Sequence, residues 1–204
     1  MNTNRTILVT AFEPFGADAV NPTALILDRL PDTVGSFTIH KLLLPVEFAK
    51  AHELAVKAYD TLSPAAVVML GQAGGRSAVT PELTAKNRMN ASIPDNAGVQ
   101  PSDTPIIDGG PDELPSTLPT DRIVEAILSR GVPAEASHDA GSFVCNSLLY
   151  RMLFYNGGEV PTGFIHVPFI PEQGHDDKPY LELTDASAAI LTALEIVADD
   201  LKTK

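Results

Sequence analysis

The feature of this sequence that most limits its possible folds is a set of short apolar runs, of which residues 65–70 (Ala-Ala-Val-Val-Met-Leu) are the clearest. A run of this length without a polar side chain is typical of a strand that is buried on both faces of a parallel sheet. Residues 6–11, 36–44 and 161–168 have strand-like patterns too, and helical patterns lie between the runs. This alternation predicts an α/β fold, namely a single-domain three-layer α/β/α sandwich with a mostly parallel twisted sheet.

Length and net charge favour a protein of one domain and argue against a nucleic-acid-binding or membrane protein. The chain has 204 residues, 44% of them hydrophobic, and we expect one domain that spans residues 1–204. The net charge of -12 opposes binding to nucleic acid or to an anionic membrane surface, and we expect neither partner. No apolar run approaches the ~18 residues of a membrane span, and residues 1–6 do not begin a long apolar leader. We therefore expect a cytoplasmic protein with a reduced thiol.

Capping residues set the predicted helix limits. Asn21-Pro22 should begin the first helix, because asparagine is a good N-cap and proline fits the first helical position. Residues 46–61 have helical spacing, and Thr120-Asp121 should begin a helix that runs to Arg130. Thr184-Asp185 should begin a C-terminal helix whose apolar stripe consists of Ile190, Leu194, Val197 and Leu201.

Two segments are predicted from their breaking residues and their position. Residues 94–119 contain six prolines and should form a long loop, either a flap over a site or an oligomer contact. Residues 134–140 should form a short strand that leads to the single cysteine.

That cysteine, Cys145, is a candidate nucleophile. Residues 147–155 have an apolar helical pattern that ends at Asn156-Gly157-Gly158, so Cys145 should lie near the N-terminus of a helix. The helix dipole favours an anion there and is expected to lower the pKa of the thiol. The alternative is that Cys145 is a small buried hydrophobe in a helix face.

His166 lies in the strand-like run that follows this helix. In an α/β layer the helix leads away from the carboxyl edge of the sheet and the next strand returns to it, so Cys145 and His166 should meet at that edge. Cysteine and histidine together are able to do nucleophilic catalysis. A core histidine without a catalytic role remains the competing interpretation.

Seven short motifs follow one another along the chain. They are residues 10–16 (TAFEPFG), 21–23 (NPT), 71–76 (GQAGGR), 80–82 (TPE), 93–96 (IPDN), 144–146 (VCN) and 164–168 (FIHVP). Together they resemble the motifs of the pyroglutamyl peptidases (pyrrolidone carboxyl peptidases), which are cysteine peptidases. The resemblance covers roughly residues 5–173.

The resemblance implies a function and a site. It implies hydrolysis of the N-terminal pyroglutamyl residue of peptides through a thioester, with Cys145 as nucleophile, His166 as base and Glu82 as the acid that orients the imidazole. The implied pocket includes Phe12 and Phe15, which look exposed in a loop over residues 12–20. The other implied substrate-binding residues are Asn21, Gln72, Ile93, Phe143 and Val144. No metal and no cofactor is expected, and the family habit of oligomerisation suggests a homotetramer or a homodimer.

Other interpretations stay open at this stage. Gly74-Gly75-Arg76 could cradle a phosphate, as in a nucleoside-phosphorylase-like enzyme, although the spacing is not that of a known phosphate loop. The chain could instead be a catalytically inactive binding protein of the same fold. A metal hydrolase through His138-Asp139 or His175-Asp176-Asp177 is weaker, because adjacent His-Asp pairs do not by themselves form a tetrahedral site.

The sequence also departs from the family pattern. Ser92 stands where the family usually has an arginine close to the active site, and Arg88 is a candidate to replace that cation. Loss of the cation would weaken stabilisation of the substrate or of the oxyanion.

Overall fold

A central sheet with helices on both faces forms the core of the chain. The computed structural model describes residues 5–175 and 177–203. The strands are β1 (Thr6–Phe12), β2 (Thr33–Val34), β3 (Phe37–Leu44), β4 (Ala66–Gln72), β5 (Thr80–Pro81), β6 (Thr84–Lys86), β7 (Glu113–Pro115) and β8 (Thr162–Val167). The helices are α1 (Pro22–Arg29), α2 (Phe48–Leu62), α3 (Thr120–Ser129), α4 (Val144–Asn156) and α5 (Leu183–Lys202), with a 3-10 turn at Pro171–Gln173.

The main sheet has the strand order β2-β3-β1-β4-β8-β5. Strands β3, β1, β4 and β8 are parallel, whereas the short outer strands β2 and β5 are antiparallel to their neighbours. One buried cluster packs α1, α3 and α5 on one face of the sheet, and a second packs α2 and α4 on the other. The predicted α/β/α sandwich with a mostly parallel sheet is confirmed.

The apolar strand patterns follow from this double coverage. Ile7 and Val9 of β1 belong to the first cluster, whereas Leu8 and Phe12 belong to the second. Since successive side chains point to opposite faces, a strand covered on both faces needs apolar residues at every position.

The predicted start of α1 is confirmed in detail. The Oδ1 atom of Asn21 accepts a hydrogen bond from the Thr23 amide at 3.0 Å, and Pro22 is the first helical residue. Helix α5 begins close to the predicted Thr184, and its stripe residues Ile190, Leu194 and Val197 are buried. Helix α3 begins at Thr120 without a side-chain cap.

One loop prediction and one strand prediction need correction. Residues 94–119 are not loop throughout, because Glu113–Pro115 pairs with β6 as strand β7. Residues 134–140 do not form a continuous strand and make only isolated bridges, from Ala134 to Val79 and from Ser137 to Glu82. In both cases the pairing partner is remote in sequence, so that local patterns could not reveal it. Within the described residues, no helix is long and apolar enough to cross a membrane.

The topology defines one position for a ligand. From β1 the chain leads to β3 on one side, and it then crosses back to form β4 on the other. Pairing of β1 with β4 is recorded up to Thr10 and Met69, short of the carboxyl ends of both strands. Ligands of open α/β sheets bind at such a switch point, outside the carboxyl ends of the strands.

Candidate active site

Cys145 is the second residue of α4, as the sequence predicts for a residue near a helix N-terminus. The N-cap residue is Phe143, and no side chain caps the first turn. The thiol lies against the carboxyl end of β4, since a Cβ atom built on Gly71 would stand 3.1 Å from the Sγ atom. Glycine at position 71 therefore leaves room for the sulfur.

His166 is brought to the same place by the sheet register. Gly71 of β4 is the register partner of His166 of β8, so the glycine beside the thiol pairs directly with the histidine. The imidazole is only 3% exposed, and its ring centroid lies 4.6 Å from that of Phe164. The predicted meeting of Cys145 and His166 at the carboxyl edge agrees with this placement.

Glu82 completes an acid–base arrangement. It follows the edge strand β5, and its amide donates to the Phe164 carbonyl at 2.8 Å. Its fully buried carboxylate places Oε1 2.7 Å from Nδ1 of His166. Because an ionised carboxylate only accepts hydrogen bonds, Nδ1 carries the proton and Nε2 keeps a lone pair that can take a proton from a thiol.

Arg76 contacts the same carboxylate. Its Nη1 atom donates to Glu82 Oε1 at 2.7 Å and also to the Thr80 hydroxyl, and its Nη2 atom donates to the Asp139 carbonyl at 2.5 Å. We refer to Arg76, Glu82 and His166 as the acid–base cluster.

The protonation states follow from burial and charge. Burial lowers the pKa of His166 despite the opposing hydrogen bond and charge of Glu82, so the imidazole is neutral at pH 7. Burial alone would raise the pKa of Glu82, but His166, Ser137 and Arg76 outweigh it and hold that pKa below its usual value. Thus the acid–base cluster contains an ionised acid, a neutral base and a cation.

The expected low pKa of the thiol is wrong. Burial, followed by the charge of Glu82, raises the pKa of Cys145 to about 12, whereas its backbone amide and Arg76 lower it by less. The helix N-terminus does act in the predicted direction, but desolvation by the surrounding protein is stronger. The thiol is therefore neutral, and it would need a base to act as a nucleophile.

A pocket of about 230 Å³, including its open mouth, lies at the switch point. Five predicted substrate-binding residues line this pocket together with Cys145. The lining consists of Phe12, Phe15, Asn21, Val46, Gln72, Phe143 and Cys145. Phe12 does not lie in an exposed loop: it ends β1 and is buried, 6.5 Å from the Phe164 ring centroid. The rings of Phe15 and Phe143 are 6.1 Å apart, so the pocket has aromatic walls.

A network of polar side chains includes Gln72, one of the residues that line this pocket. Asp18 Oδ1 lies 2.8 Å from Nε2 of His175, and Asp18 Oδ2 accepts from the amides of Gln72 at 3.3 Å and Gln173 at 3.1 Å. Gln173 also donates to Gln72 Oε1 at 2.9 Å. These four side chains, the pocket-wall network, join the loop after β1, the end of β4 and the chain after β8.

Two other predicted substrate-binding residues are not among those that line this pocket. Ile93 is 41% exposed, and Val144, which stands between Phe143 and Cys145, has a buried side chain. Arg88 forms an ion pair with Asp103 at 2.6 Å, so its guanidinium is already engaged rather than free to replace the cation missing at Ser92.

The alternative interpretations find little support. The guanidinium of Arg76 is directed to Glu82 and Asp139, which opposes a phosphate cradle at Gly74-Gly75-Arg76. Among residues 5–175 and 177–203, no group of three or more His, Cys, Asp or Glu side chains is arranged to hold a metal ion. Asp176, part of one proposed metal motif, lies outside the described residues.

Sequence reasoning missed several contributors. The sequence pattern suggests only a phosphate cradle for Arg76, and it does not place Val46 in a pocket. Asp18, Gln173 and His175 were also not assigned, because their contacts join segments up to 157 positions apart. The motif at residues 71–76 was the one available signal, since it placed Arg76 at the carboxyl end of a buried strand.

Comparisons with known proteins agree with this geometry. A model of the pyroglutamyl peptidase family matches residues 5–200. The chain is 42% identical to pyrrolidone-carboxylate peptidase 1 of Caldanaerobacter subterraneus subsp. tengcongensis, over 94% of this chain and 97% of that protein. It is 41% identical to the pyrrolidone-carboxylate peptidase of Staphylococcus aureus, over 95% and 94% of the two chains.

Solved structures show the same relationship. Pyroglutamyl peptidase I from Bacillus amyloliquefaciens superposes with a TM-score of 0.92 at 37% identity, covering 96% of each chain. A variant of pyrrolidone carboxyl peptidase from Pyrococcus furiosus gives a TM-score of 0.92 at 36% identity, over 96% of this chain and 99% of that one. Sequence and fold agree over nearly the whole length, and the chain belongs to the pyroglutamyl peptidase family of hydrolases.

Proposed function

We propose that this protein is a cysteine peptidase that removes the N-terminal pyroglutamyl residue from peptides through Cys145, His166 and Glu82. The observation that carries the proposal is the 2.7 Å contact between Glu82 Oε1 and Nδ1 of the buried His166, together with the thiol of Cys145, which lines an aromatic pocket at the same edge of the sheet. A carboxylate, an imidazole and a thiol in this order form the constellation used in nucleophilic acyl transfer.

In the first half-reaction, Sγ of Cys145 attacks the carbonyl carbon of the pyroglutamyl residue while Nε2 of His166 takes the thiol proton. Amides in the uncapped first turn of α4 are placed to stabilise the oxyanion, aided by the helix dipole. The tetrahedral intermediate then expels the peptide amine, which receives the proton from His166. The product is a thioester between the pyroglutamyl group and Cys145.

In the second half-reaction, His166 takes a proton from water, and the resulting hydroxide equivalent attacks the thioester carbonyl. The thiolate leaves, recovers the proton from His166, and pyroglutamate is released. Glu82 stays ionised throughout and stabilises the imidazolium that forms in each half-reaction. Since the resting thiol is neutral, proton transfer to His166 accompanies attack rather than preceding it.

The pocket supports a neutral ring at the cleaved residue. Phe12, Phe15 and Phe143 offer apolar faces, and backbone groups near Gln72 and Asn21 can pair with the lactam N-H and C=O. An N-terminal proline has a similar ring but carries a positive charge. Its burial would be unfavourable, and the partners of the lactam would be left unpaired.

The decisive experiment compares kcat/KM for pyroglutamyl and prolyl fluorogenic amides. We expect a preference of about 10⁴ for the pyroglutamyl amide, because sites built to hydrogen-bond a group reject analogues that lack it by that factor. Phe15→Ala should lower kcat/KM for the pyroglutamyl amide about tenfold or more, through lost ring contacts. Equal rates for the two amides would refute the pocket assignment.

A second arm tests the nucleophile. Cys145→Ala should abolish turnover, and a thiol-alkylating probe should add its mass to Cys145 and inactivate the parent enzyme. Full activity of Cys145→Ala would refute the cysteine mechanism. Absence of turnover in the parent enzyme, with pyroglutamate still binding, would instead favour an inactive binding protein.

The assembly and location are part of the proposal. The long segment 94–119 is a candidate oligomer contact, and Val99 within it and Ile93 just before it are 50% and 41% exposed, so we propose that a homodimer or homotetramer covers this segment. Light scattering at several concentrations tests this, and a monomer throughout would refute it. A reducing cytoplasm suits a free thiol nucleophile, and cell fractionation is the corresponding measurement.

A further inference from the structure

Arg76 makes contacts that reach beyond its own loop. It lies between β4 and β5, and its side chain is 26% exposed. Its guanidinium meets three other segments: the Thr80 hydroxyl on β5, the Glu82 carboxylate after β5, and the Asp139 carbonyl in the segment that leads into α4. One planar group thus links the acid of the acid–base cluster to the chain that carries the nucleophile.

The contact with Glu82 has an electrostatic reason. The carboxylate is fully buried, and an ionised carboxylate is costly to bury unless a charge or hydrogen bonds compensate it. His166 is neutral in the resting enzyme and supplies a hydrogen bond but no full charge. Arg76 supplies the positive charge, and both groups converge on the same oxygen, each at 2.7 Å.

The contact with Asp139 has a geometric consequence. Asp139 stands six positions before Cys145 and shortly before the first residue of α4. Because the guanidinium is rigid and planar, its Nη1 and Nη2 atoms hold Glu82 and the Asp139 carbonyl at a fixed separation. A lysine at position 76 carries the same charge on a single nitrogen and lacks this fork.

We infer that Arg76 is a positioning residue of the catalytic machinery, whose guanidinium holds the Glu82 carboxylate for His166 and fixes it relative to the segment that carries Cys145. This role rests on the proposed cysteine mechanism. The contacts of Arg76 are with Thr80, Glu82 and Asp139, so it positions the reacting groups through its neighbours and also acts on them through its charge.

The charge of Arg76 also contributes to the pKa of His166, after burial and the opposing effect of Glu82. Among the charged groups that face His166, Glu82 and Asp139 raise its pKa, and Arg76 lowers it together with burial. Removing the cation leaves the two anions less opposed, so the pKa of His166 should rise. The acid limb of the kcat/KM profile, where His166 becomes protonated and inactive, should then move to higher pH.

The test uses Arg76→Met, Arg76→Lys and a control, Arg130→Met, which removes a half-exposed arginine that pairs with Glu195 at 2.5 Å on the α3–α5 surface. Arg76→Met should lower kcat about 10- to 100-fold, as is typical of residues that orient a catalytic group from behind, with KM within about twofold. Its acid limb should shift upward. Arg76→Lys should lose kcat while its acid limb stays in place. Arg130→Met should match the parent enzyme in both.

A direct measurement makes the test independent of turnover. The ring-proton NMR signal of His166, assigned by its absence in His166→Ala, should titrate at a higher pH in Arg76→Met than in the parent protein. If Arg76→Met does not fold, Arg76→Gln carries the same pH test. Any of three outcomes would overturn the inference. The His166 titration could be unshifted in Arg76→Met or Arg76→Gln, kcat could be parental in Arg76→Lys, or the change in Arg76→Met could be confined to KM. If one of these outcomes occurs and Cys145→Ala is inactive, only the role of Arg76 is refuted. If Cys145→Ala is active, the cysteine mechanism itself is refuted.

Discussion

Two polar networks flank the thiol, and they differ in their access to water. In the acid–base cluster the Glu82 carboxylate is fully buried and His166 is 3% exposed, although the Arg76 side chain is 26% exposed. In the pocket-wall network the side chains of Asp18 and His175 are 17% and 34% exposed. The contact between Glu82 and His166 is therefore shielded from water, whereas the contact between Asp18 and His175 is partly screened by solvent.

This difference separates the two tasks of the enzyme. The pocket-wall network is suited to holding loops in place, because its contacts join the loop after β1, the end of β4 and the chain after β8. A buried network alters protonation, because unscreened charges shift pKa values strongly. Changes in the acid–base cluster should therefore appear in kcat and in its pH dependence, and changes in the pocket-wall network should appear in KM.

The largest expected effect comes from Glu82→Gln, which keeps the size of the side chain but removes its charge. We expect kcat to fall about 10²- to 10⁴-fold, because the imidazole loses its orienting anion. Glu82 raises the pKa of His166, so its neutral replacement should lower that pKa. The acid limb of kcat/KM should then move to lower pH, opposite to the shift expected for Arg76→Met.

A surface variant provides the control for this experiment. Glu195→Gln removes the charge of an exposed carboxylate that pairs with Arg130, and it should leave kcat and the pH profile unchanged. If Glu82→Gln raises KM at constant kcat, the division of tasks between the two networks is wrong.

The sequence predicted the placement of the proposed catalytic groups better than their electrostatics. Cys145 and His166 could be assigned to one sheet edge because the order helix, turn, strand fixes where the chain returns. The raised pKa of Cys145 could not be predicted, because it depends on how closely other segments surround the sulfur. The role of Arg76 was hidden for the same reason, since its carbonyl partner is 63 positions away.

The fold was predictable to a similar extent. Apolar runs identified the parallel strands, and Asn21 identified the start of α1 because its cap is a local interaction. Strand β7 was missed because the prolines of its segment argue against any strand, although Pro115 stands at the end of a short two-stranded sheet where few hydrogen bonds are needed.

An intermediate effect is expected from Gly71→Ala, which places a methyl group against the thiol of Cys145 and the ring of Phe164. The new Cβ atom would lie 2.6 Å from the Phe164 ring and 3.1 Å from Cys145 Sγ. Relief of these contacts must move the sulfur or the ring, and kcat should fall about tenfold or more, since small displacements of reacting groups are costly. Overpacking should also cost about 1–3 kcal/mol of stability.

Gly163→Ala is the matched control on β8. Its Cβ atom would meet the Ser116 hydroxyl and lie 2.7 Å from Leu118 Cδ1, so the steric conflict is comparable but distant from the thiol. Thermal unfolding should show a similar loss of stability in both variants, whereas kcat should fall only in Gly71→Ala. An equal loss of kcat in both would mean that strain in the sheet, rather than the position of the sulfur, determines activity.

The smallest expected effect comes from Asp18→Asn in the pocket-wall network. Asp18 Oδ2 accepts from Gln72 and Gln173, and an asparagine that keeps its oxygen toward His175 would turn an amide donor toward those two amides. The donors then face each other, and the end of β4 beside the pocket loses a restraint. Because Gln72 lines the pocket, KM for the pyroglutamyl amide should rise about three- to tenfold, equivalent to about 0.7–1.4 kcal/mol of binding. The acid–base cluster is untouched, so kcat should stay within about twofold and the acid limb should not move.

Asp32→Asn, at an almost fully exposed carboxylate paired with Lys41, controls for the loss of one negative charge and should leave KM unchanged. A fall in kcat with constant KM in Asp18→Asn would show that the outer network takes part in the chemistry, and the two networks would then act as one.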